Sequence, residues 1–154
     1  MGATEVRTVP DLSPDVAGRV IPVVGEASNG PEGERLPEPE DFTDVISWQG
    51  ISGIVHRGAG MFLVGVFLGD DPPSDPAPRR LNFTKRERFD LLAPQIGQTF
   101  LIGDGQGRTY RVPKGATRLF LGFADAYTYQ GNPGWYDNNA GRLMVTVHVA
   151  KERK

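Results

Sequence analysis

Apolar residues in this chain come in runs of strand length, and each run is closed within a few positions by Gly, Pro, Asp or Asn. The last run is the most regular. Leu143, Val145, Val147 and Val149 fall on one face, and Met144, Thr146 and His148 on the other, which is the two-residue period of a β-strand. Glycine and proline account for 20 and 13 of the 154 residues, well above the usual share of roughly 12 per cent. Breakers spread among apolar runs imply many turns between short strands. The fold class expected is all-β, an antiparallel β-sandwich with at most one short helical turn.

Strands are expected at Val45–Trp48, Gly53–His56, Met61–Leu68, Thr99–Ile102, Thr109–Val112, Arg118–Ala124 and Arg142–Ala150. MFLVGVFL and LFLGFA are apolar on both faces, the pattern of central strands, and each carries a mid-strand glycine, Gly65 or Gly122, that signals a bulge or a close backbone approach. The helical turn is expected in TKRERFDLLAP, where Thr84 and Glu87 have the spacing of a capping box and Pro94 ends the segment. Residues 1–44 read as a Pro-rich extended N-terminal segment, and 45–154 as the sandwich domain. Within the first segment, VIPVV forms an edge strand or an arm, because Pro22 cannot donate to a ladder.

Composition excludes several classes. The formal charge is −2 and the basic residues are scattered, so no nucleic acid partner is expected. No apolar run approaches membrane-spanning length, so no membrane insertion is expected. Without cysteine there is no disulfide, thiolate nucleophile or Cys-bound zinc. The first twenty residues carry charges and prolines where a signal peptide needs an apolar stretch.

The segment FADAYTYQGNPGWYDNNAGRLMVTVHV collects Asp125, Asp137, Asn138 and Asn139 in one loop between two strands. Calcium takes about 6–8 oxygen ligands from carboxylates, amides, backbone carbonyls and water. Gly131, Gly134 and Gly141 would let the chain curl round such an ion. Asn, Asp and Gly also dominate plain turns, so DNNAG reads equally as a hairpin turn.

LFLGFADA…GWYDNNAGRLMVTVHV resembles the C-terminal half of the calcium-dependent PA-I-like galactophilic lectins of bacteria and related secreted β-sandwich domains. The shared pattern is an apolar strand ending in Asp, a loop, a Tyr-x-Asn-Asn-x-Gly turn and an alternating strand. The likeness is close from Val112 to Val149, looser over WQGISGIVHRGAGMFLVGVFLGDD, and absent before about Asp44.

The resemblance implies a galactose-binding-domain-like jelly roll and one Ca2+ as cofactor. It implies side-chain ligands Asp125, Asn138 and Asn139, a backbone ligand at Trp135, and a second at Gly69 or Asp70. It also implies a carbohydrate partner, galactose-like or another glycan, whose paired hydroxyls complete the calcium shell. Asp125, Trp135, Tyr136, Asn138 and Asn139 would then form the carbohydrate site. Tyr127 and Tyr129 are further candidates for stacking on the sugar, or for packing under the loop. Asp137 stands where the lectins have a small residue.

The lectins' His and Gln grip on the sugar has no counterpart in DDPPSDPAPRRLNF, where Arg79, Arg80 or Asp71 would have to replace it. The implied setting is secreted or cell-surface, with a signal segment lying outside this stretch and the cytoplasm as the alternative.

No catalytic role is expected. His56 and His148 read as solvated strand residues, and no Gly-x-Ser-x-Gly turn is present. IGDGQGRTY is glycine-rich but precedes a strand, so it reads as a hairpin and not a phosphate cradle, with Asp104 a minor second cation candidate. The alternative function is a structural or assembly module, forming a homo-oligomer through the N-terminal arm, in which calcium only stiffens the loop. Replacing Asp125 by Ala is expected to abolish ion binding and leave the fold in place.

Overall fold

We describe a computed structural model over residues 16–24, 27–29, 42–103, 108–136, 139–141 and 144–151. Twelve strands follow in order: β1 Val16–Val24, β2 Ala27–Asn29, β3 Phe42–Val45, β4 Ile54–Arg57, β5 Leu63–Leu68, β6 Leu81–Asn82, β7 Thr99–Leu101, β8 Tyr110–Arg111, β9 Arg118–Phe123, β10 Gln130–Gly131, β11 Asn139–Gly141 and β12 Met144–Lys151. The molecule is an all-β sandwich, as the breaker-rich pattern requires. The sheets have the orders β12-β1-β8, β10-β3-β4-β6, β11-β2 and β7-β5-β9.

β1 runs antiparallel to β12 from the pair Val16–Lys151 inward, and Ala17 and Gly18 also pair with β8. Pro22 falls where the β12 register shifts, between Ile21 and Val24, and beyond the reach of β8. A missing backbone donor is tolerated at such an irregularity.

β5 is central, as its two apolar faces imply, but β9 is an end strand of its sheet. β7 and β8 pair with β5 and β1 and not with each other, so the glycine-rich segment between them joins two sheets. Its residues 104–107, Asp104 included, lie outside the described residues.

The core collects Ile54, Phe83, Phe100, Ile102, Tyr110 and Val112, all essentially inaccessible to water. Phe100 stacks on Phe67 with ring centroids 5.1 Å apart and leans on Tyr110 at 4.8 Å. The Tyr110 hydroxyl donates to the Leu101 carbonyl at 2.7 Å, so its polar tip is satisfied inside. Gly65 makes room for this cluster: a Cβ there would lie 2.6 Å from the Phe100 ring.

Two further expectations are corrected. The Thr84 segment forms turns and no helix. The Thr84 hydroxyl accepts from the Arg57 N–H at 3.0 Å, and the Thr84 N–H donates to Asn82 Oδ1, so neither group caps a helix. The short helical turn lies instead at Tyr127–Tyr129.

His56 is not solvated. Pairing with Thr43 turns it inward with Ile54, and it is only 4% exposed. Its Nε2 lies 3.4 Å from the Glu87 carboxylate, and its Nδ1 lies 3.1 Å from the Arg57 carbonyl. His148 faces solvent.

Candidate functional site

β9 delivers Asp125 to its place. The Ala124 N–H donates to the Phe62 carbonyl at 3.0 Å, which carries the ladder one residue past the strand. The Asp125 side chain is therefore 1% exposed. Its Oδ1 accepts the Ala126 N–H at 2.8 Å, and its carbonyl accepts the Gly134 N–H at 3.2 Å.

The loop that follows is stitched down in two places. Ala126 bridges Pro133, and β10 runs parallel to β3, with Gln130 opposite Asp44 and Gly131 opposite Val45. The Ile46 N–H then donates to the Gly131 carbonyl at 2.9 Å.

Three non-glycine residues of this loop have left-handed backbone angles: Thr128 (φ 49), Tyr129 (φ 60) and Trp135 (φ 68). Such angles cost roughly 1–2 kcal/mol each for residues with a Cβ. They persist where the surrounding bonds over-determine the shape, and they concentrate at functional segments.

The aromatic candidates divide. Tyr129 is buried, its ring lying over Gly60, so it packs under the loop. Tyr127 and Trp135 are 64% and 54% exposed, with ring centroids 5.0 Å apart. Tyr136 is about one-third exposed, and its phenol pKa is raised by burial and then by the nearby Asp125 charge.

Gly69 and Asp70 are not brought to Asp125. The β5–β9 register sets Leu68 against Arg118 and Leu63 against Phe123, so Gly69 lies at the opposite end of the strand pair from Asp125. The Gly69 carbonyl accepts from the Arg118 guanidinium, with Nε at 2.9 Å, and Asp70 Oδ1 accepts the Thr117 hydroxyl at 2.7 Å. Six residues of strand at about 3.3 Å each put these groups well outside one ion's shell. Sequence nearness to a strand end does not say which end meets the loop.

Val45, Ile46, Trp48 and Gln49 line the same cleft as Asp125, Pro133 and Tyr136. Sequence reasoning missed this by reading Val45–Trp48 as a strand, whereas β3 ends at Val45 and leaves Ile46 and Trp48 exposed. Of the proposed replacements for a sugar grip, Arg80 is bonded to Asp44 and to the Val45 carbonyl, and the Asp71 carbonyl takes a bond from Arg118.

Asp137 and Asn138 lie outside the described residues, and Asn139 is described only as part of β11, opposite Asn29. Among the described residues no three His, Cys, Asp or Glu side chains gather as a metal group. No described helix is long and apolar enough to cross a membrane. In comparisons with known proteins, the chain matches no family model, no curated protein and no solved structure.

Proposed function

We propose that this protein is a calcium-dependent carbohydrate-binding module of lectin type. The observation that carries the reading is a carboxylate withdrawn from water, Asp125, in the same loop as two rings left in water, Tyr127 and Trp135. Asp125 accepts the Ala126 N–H, and a carboxylate is the kind of oxygen ligand that a hard cation takes. Exposed rings suit the apolar face of a sugar.

The donor set fits a hard cation: the Asp125 carboxylate, the amide oxygens of Asn138 and Asn139, and the Trp135 carbonyl. The second backbone ligand belongs to Ile46–Gln49 in this reading, in place of Gly69 and Asp70. Bound there, calcium would supply a positive centre for two vicinal hydroxyls. The chain's own part is to hold the Asp125 carboxylate at the strand end and the Trp135 and Tyr136 rings beside it. The role is binding, without a chemical step.

The test is thermal melting in chelator, in calcium, and in calcium with a panel of monosaccharides. At ten times a Kd near ~1 mM, calcium should add about 1.4 kcal/mol. A further rise with one sugar supports the lectin reading. A rise with calcium alone supports a loop-stiffening role in an assembly module, and no rise with calcium overturns the metal site.

A further inference from the structure

β9 is an end strand with one side in use. The Ala124 N–H turns towards β5, where it reaches the Phe62 carbonyl, so by alternation the backbones of Phe120 and Gly122 bond to β5 as well. The peptide groups of Leu119, Leu121 and Phe123 point the other way, and no described strand pairs with β9 on that side. The open stretch stops at Asp125, whose carbonyl takes the Gly134 N–H. An unpaired strand edge is a template for another strand, and natural edges are blunted by Pro, Lys or a bulge. RLFLGF has none of these.

The flank of this edge is shaped too. On the face away from the core, Phe120 and Gly122 border a cleft with Val64 and Val66. A Cβ at Gly122 would meet no atom within 4 Å, so the strand has a gap there the size of a side chain.

A second copy of β9 meets both features. In an antiparallel pairing centred on Leu121, Leu121 faces Leu121 and Leu119 faces Phe123, with N–H and C=O groups exchanged at each pair. Phe120 of each copy then lies straight across from Gly122 of the other, at a position without ladder bonds, where side chains come closest. A ring opposite an edge glycine fills the space of its missing side chain. A slip of two residues either way sets Phe120 against Phe120 or Gly122 against Gly122, and the fit is lost. Charge agrees with the pairing: Arg118 opens the stretch and Asp125 follows it, so antiparallel copies bring unlike charges near each other at both ends.

We propose that the protein forms a two-fold dimer through β9, which joins the β7-β5-β9 sheets of two copies into one. An edge about 20 Å long with one inserted ring from each copy falls short of the roughly 800 Å² a side of stable complexes, so the dimer is reversible. It uses β9 and not the N-terminal arm, stands apart from the sugar reading and needs no calcium. It would set the two Asp125 loops at opposite ends of the shared ladder.

The test is sedimentation velocity of the full chain over a concentration series in chelator, joined to amide hydrogen exchange. A monomer–dimer equilibrium should appear. Exchange at Leu119, Leu121 and Phe123 should slow as concentration rises, while Phe120 and Gly122, already bonded to β5, should not change. The two-fold axis makes each substitution count twice, so Phe120→Gly and Gly122→Phe should each weaken the dimer about tenfold. The double variant, which exchanges ring and gap, should restore it. Circular dichroism melting checks that each variant is folded, and exchange on the unaltered chain decides if one is not. The proposal is overturned by a chain that stays monomeric at millimolar concentration, or by a dimer that leaves Leu119, Leu121 and Phe123 unprotected, as one joined by the N-terminal arm would. It is equally overturned if the folded double variant dimerises no better than the single ones. Failure of calcium to bind in the melting test leaves these outcomes untouched.

Discussion

The β5–β9 strand pair has one face that is full and one that is open. On the first, Gly65 lets the rings of Phe67, Phe100 and Tyr110 close up with nothing to spare. On the second, Gly122 leaves space that no described atom within 4 Å would contest. In sequence the two glycines look alike, each in the middle of an apolar run. A missing side chain can therefore admit a neighbour or leave a cleft, and only the partner strands decide which.

The largest effect should come from the full face. Phe100→Ala removes a ring with no exposure and should cost about 3–5 kcal/mol, read as a drop in the urea midpoint. Next comes the direct comparison of the glycines. Gly65→Ala should destabilise by roughly 1–3 kcal/mol through overpacking against Phe100. Gly122→Ala should stabilise by about 0.5 kcal/mol, because the strand loses less entropy and nothing is displaced. Equal losses at the two sites would break the comparison.

The carboxylate at the edge of the open face follows. Asp125→Ala should remove calcium binding in calorimetry and also cost about 1–2 kcal/mol, since the buried Ala126 N–H loses its acceptor. The sandwich should stay folded at that cost, in line with the sequence-based expectation.

A smaller effect is electrostatic. Tyr136 holds its proton above the ordinary 10.0, through burial first and the Asp125 charge second. The neutral phenol is favoured in the folded state. Its contribution to stability is complete below the ordinary value and is lost as pH rises through the raised one. Tyrosinate absorbance should show a late step that Tyr136→Phe removes. Calcium at Asp125 should shift that step downward, because a cation there would offset the carboxylate charge that helps to raise the phenol.

The smallest effect is expected at Thr128, whose exposed side chain sits on left-handed backbone. Thr128→Gly should raise stability by about 0.5 kcal/mol, as the relieved strain exceeds the added freedom of the unfolded chain.

The sandwich was legible because alternation and strand-length apolar runs are local properties, the first carried by Met144–Lys151 and the second by Leu63–Leu68. β9 misled because apolar residues on both faces signal two coverings, and a cleft can serve as one of them. Thr84 and Glu87 had the spacing of a cap, but Arg57 and His56 claim their side chains from a distant strand. Asp125 at a strand end was readable from LFLGFADA. Its neighbours were not, because the loop after it is tied to Asp44 and Val45 through a parallel pairing of two residues that no local pattern announces.

The pairing of β1 with β12 sets how the molecule would answer a mechanical load. Val16 lies opposite Lys151, so the strand that opens the described chain and the strand that closes it leave the sheet at the same end. Tension applied at those two residues peels the ladder rung by rung from its outer end, instead of shearing all its rungs together. A force trace taken there should show this sheet yielding early and gradually, while the β7-β5-β9 sheet holds. An abrupt first rupture of the whole sheet would show that the two strands do not part as a zipper.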